Sequence, residues 1–140
     1  VRRFSPEEME LSYRHSRFMQ DDHIITSAAF KLAHGNSDEI KAKMNELMDK
    51  RRTKQPLEYP SAGSTFKRPE GSYASLLIEQ CGLKGMSVGG AEVSTKHSGF
   101  IINKGGATSA DILTLIEKVR EIVKEKTGYE LECEPVIIGK

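Results

Sequence analysis

The sequence predicts an α+β fold, in which helices pack on a mixed or antiparallel sheet whose last strand carries Glu134. Two observations support this class. Apolar residues recur at helical spacing in three segments, and short β-branched runs lie between turn residues. The order of these segments is strand, helix, helix, two strands, helix, strand. A chain of 140 residues is about the length of one domain and can bury a hydrophobic core.

The composition argues against several classes of protein. Apolar residues make up 37% of the chain and charged residues 29%, which is typical of a soluble globular protein. The net charge of +1 gives no strong field for nucleic acid, although charge can still cluster locally. Cys81 and Cys133 form no metal-ligand pair, so we expect no metal site and two reduced thiols. No signal-peptide pattern is present, which favours the cytoplasm.

The first two elements are predicted from the segment before Lys54. HIITSAAFKL at 23–32 mixes β-branched and aromatic residues over the length of a strand, and a turn sequence follows it. Asn36 stands three residues before Glu39 in a capping-box arrangement. Ile40, Met44, Leu47 and Met48 then follow at helical spacing. This pattern predicts a helix at 37–52, ending in basic residues that suit a helix C-terminus.

The middle of the chain is predicted to hold a long loop, a helix and two strands. Residues 54–71 include three prolines and two glycines, which predicts an ordered or functional loop. Helical spacing predicts a second helix from Ser72 that closes at Gly82. Two short apolar runs, Ala91–Val93 and Phe100–Ile102, are predicted to be strands.

The last third of the chain contains the strongest helical pattern. It begins at Thr108, with Asp111 three residues on, and ends at Gly128. A final strand is predicted at 130–138. Alternation along that strand places Glu132 and Glu134 on one face.

Four short segments offer candidate functional residues. YRHSRF at 13–18 places two arginines around a histidine and a serine, although exposed residues of a short helix would give the same pattern. KQPL at 54–57 follows a basic run and could equally be a solvated helix end. LECEPV at 131–136 has an acidic face that could simply be solvated.

The fourth segment, PSAGSTFKRP at 60–69, is the most informative. Its small residues allow a close approach of the backbone to a ligand, and its prolines stiffen the loop. Ser64 offers a hydroxyl near Lys67 and Arg68. The spacing of a phosphate-binding P-loop is absent. We interpret the segment as a binding loop, with a plain surface turn as the alternative.

Six motifs occur in order along nearly the whole chain: YRHSRF, KQPL, PSAGSTFKRPEG, GLKG, GGAEVSTKHSGFIIN and LECEPVIIG. This series resembles the UDP-N-acetylenolpyruvoylglucosamine reductase family, and its shorter second type more than its first. Members of that family reduce an enolpyruvyl ether to a lactyl ether on a UDP-sugar during peptidoglycan precursor synthesis. They use NADPH and bound FAD.

The resemblance implies roles for individual residues. Arg14 would bind and polarise the substrate carboxylate, Ser64 would donate a proton, and Glu134 would act together with the arginine. Cys133 and Pro135 depart from the pattern of the first type, which affects the expected direction of Glu134. The substrate-binding residues implied are Lys54, Lys67, Arg68 and His97.

The resemblance also implies a division of the chain. Residues 1–34 are expected to be the tail of the FAD-binding domain and residues 35–140 the C-terminal substrate-binding domain. The family's glycine-rich flavin loops come earlier in the polypeptide, and we interpret the glycines at 85, 89, 90, 105 and 106 as turns. The chain opens on Val1, which suggests a piece of a longer protein, although proteolysis would explain it equally well.

Without the N-terminal FAD-binding domain, the chain by itself is expected to bind no FAD or NADPH and to be inactive. The full-length enzyme would bind both cofactors and UDP-N-acetylglucosamine enolpyruvate. A different class remains as the alternative: a module that binds RNA or a phosphorylated ligand through the basic residues at 50–54, Lys67 and Arg68.

Overall fold

The structure, a computed structural model, describes residues 1–20 and 22–139. The chain divides into two compact units, Val1–Asn36 and Ser37–Lys140. No described helix is both long and apolar enough to cross a membrane.

The first unit contains little regular structure. A short 3-10 helix spans Arg17–Met19, and Ser12 forms an isolated bridge with His15. The ring of Phe4 meets that of Phe18 edge-on, with centroids 5.0 Å apart. None of the described residues of this unit is buried. The unit is therefore organised by local turns and ring contacts rather than by a core.

The strand predicted at 23–32 does not form. These residues have no regular structure, and their side chains are exposed. A strand is stable only when its backbone groups pair with a neighbour and one face is covered. No described strand pairs with this segment, so the prediction from β propensity was wrong.

The second unit contains all the regular helices and strands that the structure describes. The helices are α1 (Ser37–Lys54), α2 (Ala74–Gln80) and α3 (Ser109–Thr127). The strands are β1 (Ser61–Ser64), β2 (Ser87–Val88), β3 (Ala91–Val93) and β4 (Phe100–Asn103). The three predicted helices and the two predicted central strands are thus confirmed.

The strands form one antiparallel sheet in the order β1-β4-β3-β2. Strand β1 lies at an edge and pairs with β4, with Ser64 opposite Phe100. Helix α3 packs on β2 and β3 and also contacts α2. This arrangement confirms the predicted α+β class and shows that the described sheet is antiparallel throughout.

Helix α3 supplies the centre of the core. Leu115, Val119 and Val123, spaced four residues apart, are fully buried against the sheet and α2. The predicted capping box is present: the Thr108 hydroxyl accepts a 3.1 Å hydrogen bond from the Asp111 amide, and the Asp111 carboxylate accepts one of 2.9 Å from the Thr108 amide. Further core residues are Phe66, Leu77, Ile78, Ala91, Val93, Ile101, Ile116 and Leu131.

Helix α1 does not pack on the sheet, contrary to prediction. Its apolar residues Ile40, Met44, Leu47 and Met48 are 45–63% exposed, and none of its residues is buried. The rest of the helix is mainly charged, and Glu46 pairs with Lys43 and Lys50 one turn away on either side. Local pairing can stabilise such a helix without a packed face.

The predicted last strand is reduced to a single bridge. Cys133 pairs with Phe66, and no strand forms within the described part of 130–138. The next ladder bond would run from the Thr65 amide to the Glu134 carbonyl, but the Thr65 amide bonds the Gly99 carbonyl instead, and the pairing stops there.

Candidate functional site

The predicted binding loop at 60–69, called the Ser64 loop below, begins in the edge strand β1, which contains a bulge. The register of β1 against β4 shifts between Ser61 and Ser64, and Gly63 lies in the left-handed region with φ of 84°. A residue with a side chain adopts this conformation only at a cost, which accounts for glycine at this position. Ser64 follows the bulge and its side chain is exposed.

Thr65, next to Ser64, lies at a junction of three chain segments. Its amide donates a 2.9 Å hydrogen bond to the Gly99 carbonyl, and its carbonyl accepts one of 2.9 Å from the Glu134 amide. Its hydroxyl accepts a 3.0 Å hydrogen bond from the Ile101 amide. Only 4% of Thr65 is exposed. Nothing in the sequence marks this residue, because an isolated threonine in a loop carries no signal of burial.

The Glu134 segment runs antiparallel to the residues that follow Ser64. Lys67 donates a 2.8 Å main-chain hydrogen bond to Glu132, two residues from the bond between Glu134 and Thr65. Opposed residues of an antiparallel pair share a face, so Glu132 and Glu134 lie on the face of Thr65 and Lys67. This agrees with the predicted alternation. Glu134 is half-buried.

The other face of this segment contacts the core. Phe66 is buried in the core and Cys133 packs against it. Burial raises the pKa of the Cys133 thiol. Two residues before Cys133, the segment is bonded to α3: Arg120 Nε donates a 2.9 Å hydrogen bond to the Leu131 carbonyl.

Lys67, a predicted substrate-binding cation, already has a partner in the described structure. Its ammonium group forms an ion pair with the Glu132 carboxylate, and Glu132 is largely exposed. An exposed pair of this kind contributes little to stability and can exchange partners easily. The pair therefore leaves Lys67 available to an anionic ligand at low energetic cost.

His97 is held against the same junction. Its Nδ1 accepts a 3.1 Å hydrogen bond from the Gly99 amide, and its own amide donates one of 3.2 Å to the Ser94 hydroxyl. The ring meets Phe100 edge-on at 5.0 Å between centroids. Because Nδ1 accepts, the neutral ring carries its hydrogen on Nε2 and can donate there.

The remaining predicted residues lie at other places. Arg68 Nε donates a 3.4 Å hydrogen bond to the Ser72 carbonyl, and its guanidinium lies 4.0 Å from the centre of the Tyr73 ring. Lys54 is the exposed last residue of α1. Arg14 belongs to the first unit, has φ of 55° and lies over the Tyr13 ring. Within the second unit, the main-chain bonds of Thr65 connect the segment that carries Ser64 to Glu134 and to Gly99, and Gly99 bonds His97.

The glycine-flanked N-terminus of α3 does not suit a flavin pyrophosphate. Its amides at Thr108 and Asp111 are taken up by the capping box, and the Asn103 side chain accepts from the amides of Gly105 and Ala107. The Asp111 carboxylate there would also repel a phosphate.

An apolar cavity of about 100 Å³ lies between β1, β4 and α3. It is far smaller than the ~300–1,000 Å³ of typical cofactor and ligand sites. The described residues contain no cluster of three or more side chains suited to a metal.

The fold and the loop define the second unit as an α+β domain with a polar site at the edge of its sheet. Residues 55–138, more than half of the chain, match the model of the UDP-N-acetylenolpyruvoylglucosamine reductase C-terminal domain. The chain belongs to the UDP-N-acetylenolpyruvoylglucosamine reductase family.

Individual reductases show the same relationship. The chain is 56% identical to the reductase of Clostridium novyi, over 99% of its own length and 45% of that protein. It is 57% identical to that of Caldanaerobacter subterraneus, over 97% of its length and 45% of the relative. The crystal structure of the Thermus caldophilus reductase superposes with a TM-score of 0.71 at 34% identity, covering 94% of this chain and 47% of that one. The chain thus spans less than half the length of these relatives.

These comparisons do not support the alternative of an RNA- or phosphate-binding module.

Proposed function

We propose that the chain is the C-terminal, substrate-binding part of a reductase that uses FAD and NADPH. The complete enzyme converts UDP-N-acetylglucosamine enolpyruvate into UDP-N-acetylmuramate for peptidoglycan synthesis in the cytoplasm. Residues 1–34 are the tail of its FAD-binding domain, and residues 35–140 form its substrate-binding domain. The observation that carries the proposal is the junction that holds the Ser64 loop beside Glu134, in a chain of this family.

The chemistry requires a proton donor and a site for negative charge. Hydride addition to the outer vinyl carbon leaves negative charge on the neighbouring carbon and its carboxylate, and that carbon must then be protonated. Ser64 is the proposed donor. A serine hydroxyl is normally too weak an acid for this role, but an enolate of this kind is a far stronger base than water. The exposed side chain of Ser64 is accessible to a substrate.

We assign to Arg14 and Glu134 the stabilisation of the negative charge that develops on the substrate carboxylate. A fixed guanidinium stabilises an enolate as a preorganised cation. Glu134 would share a proton or a hydrogen bond with the same carboxylate, and its main chain is held by the bond to Thr65. Lys54, Lys67, Arg68 and His97 are proposed to bind the remainder of the substrate.

We expect the purified chain to carry no yellow cofactor, because the amides near the N-terminus of α3 already bond to side chains of the chain itself. The proposal is tested by comparing this chain with the full-length protein. The full-length protein should contain flavin and oxidise NADPH when the enolpyruvyl substrate is added, and this chain should do neither. A flavin-loaded full-length protein that never oxidises NADPH with this substrate would refute the proposed activity. Stoichiometric FAD on the chain by itself would refute the assignment of flavin binding to the remainder.

A further inference from the structure

We propose that Thr65 is a positioning residue, whose buried hydroxyl holds Ser64 in a fixed relation to Glu134. The inference rests on the proposed function, because it assigns Thr65 a role only through those two residues. Thr65 itself is 4% exposed and therefore has no surface for a substrate.

The three bonds of Thr65 connect the parts of the site. Its carbonyl holds the Glu134 amide at 2.9 Å, and its amide holds the Gly99 carbonyl at 2.9 Å. Gly99 in turn donates to His97 Nδ1 at 3.1 Å. Ser64 precedes Thr65 directly, so a rotation of the Thr65 backbone would move Ser64 relative to Glu134 and His97 together.

The hydroxyl adds a side-chain bond where the edge of the sheet is irregular. The register between β1 and β4 shifts between Ser61 and Ser64. Past this bulge the Thr65 amide bonds the Gly99 carbonyl at 2.9 Å, and the Thr65 hydroxyl accepts a 3.0 Å bond from the Ile101 amide. Thr65 is thus tied to the β4 side by one main-chain bond and one side-chain bond, and the second fixes its backbone where the loop leaves the sheet.

Two substitutions in the full-length protein distinguish the effect of the Thr65 hydroxyl from the effect of the shape of its side chain. Thr65→Val keeps the shape and removes the acceptor for Ile101, whereas Thr65→Ser keeps the acceptor. A displacement of about 1 Å in a catalytic group can cost about 10²-fold in rate. We therefore expect Thr65→Val to lower kcat for substrate reduction by about 10- to 100-fold. NADPH reduction of the flavin should keep its rate, and Thr65→Ser should keep kcat within a few-fold.

Hydrogen exchange gives a readout that does not depend on catalysis. The Ile101 amide should exchange faster in Thr65→Val and keep its protection in Thr65→Ser. Val123→Ala, in the core of α3, is the control for general destabilisation and should leave kcat unchanged at a temperature where it is folded. If Thr65→Val does not fold, Thr65→Ala takes its place, since the smaller side chain leaves room for a water at the Ile101 amide.

The outcomes distinguish the two proposals. If the wild-type protein does not reduce the enolpyruvyl substrate, the proposed function fails. If the wild-type protein is active and the hydroxyl-free variant matches its kcat, the positioning role of Thr65 is refuted. A folded Thr65→Ser variant with the same loss as Thr65→Val would also refute it, because the hydroxyl would then not be the group that matters.

Discussion

The Glu134 amide donates a 2.9 Å hydrogen bond to the carbonyl of Thr65, and this bond places Glu134 beside the residue that follows Ser64. Glu134 and Thr65 are 69 positions apart in the chain yet lie on neighbouring backbone segments.

The first prediction concerns Ser64 in the full-length protein. Ser64→Ala should leave the fold nearly intact, because the side chain is exposed. It should slow substrate reduction by about 10²- to 10⁴-fold, the usual contribution of a positioned acid. Flavin reduction by NADPH should survive, since that half-reaction needs no proton at the substrate carbon. Stopped-flow absorbance separates the two half-reactions.

Ser87→Ala is the control, because Ser87 is an exposed serine in another strand of the same sheet, whereas the Ser61 hydroxyl accepts a 3.3 Å hydrogen bond from the Gly63 amide at the bulge. It should reoxidise its flavin with substrate at close to the wild-type rate. If the flavin of Ser64→Ala were reoxidised by substrate at close to the wild-type rate, Ser64 would be a binding residue at most and not the proton donor.

The second prediction concerns the start of α3. Thr108→Ala removes the hydroxyl that accepts from the Asp111 amide and should destabilise the protein by about 1 kcal/mol. Thr114→Ala, at an exposed position inside the same helix, removes a hydroxyl without removing a cap. Urea denaturation followed by circular dichroism measures both. Equal losses in the two variants would contradict the capping role.

The third prediction is a dependence of stability on pH. The bonds from the Thr108 amide and hydroxyl hold the pKa of Asp111 below its usual value. A carboxyl whose pKa is lower in the folded state stabilises the protein above its unfolded pKa of about 3.9, and that contribution is lost as the pH falls through the folded value. Melting temperature should therefore decline with acidification in this range.

Asp111→Asn should weaken this acid dependence, because the group no longer titrates. Glu125→Gln, which removes an exposed carboxylate from the same helix, is the control for the loss of charge. If Asp111→Asn and the wild type lost melting temperature in parallel below pH ~4, the role of Asp111 in acid sensitivity would be wrong.

The fourth prediction concerns the two thiols, which the structure shows as free. Because burial raises the pKa of Cys133, less of it is thiolate at neutral pH and alkylation should be slow. The midpoint of its pH–rate profile should lie above pH ~8.5, which is the midpoint for an ordinary thiol. Cys81 is only 8% exposed and should react only when the protein unfolds. Mass spectrometry after timed iodoacetamide treatment resolves the two sites, and rapid labelling of Cys133 at neutral pH would contradict the prediction.

Local patterns in the sequence predicted the elements whose stability is itself local or periodic. The capping pair Thr108 and Asp111 lies within one helical turn, so its geometry follows from spacing alone. The burial of Leu115, Val119 and Val123 follows the same logic, because a spacing of four residues places all three on one face of the helix, and that face packs on the core. Prolines and small residues predicted the loop around Ser64, whereas the role of Ser64 came from the resemblance to the reductases.

The remaining strands and the arrangement of the site depend on contacts between residues that are distant in the chain. Residues 23–32 and 130–138 were both predicted to be strands, yet the first forms no pairing and the second forms only the bridge at Cys133. A strand forms only if another segment supplies its hydrogen bonds and covers one of its faces. The sequence of the strand itself determines neither condition. The same holds for Thr65, whose burial and three-way bonding arise only when 99–101 and 134 close around it. The sequence by itself therefore determined the family, the helices and the candidate residues, whereas the tertiary structure alone decided which of them meet, because those contacts form between segments far apart in the chain.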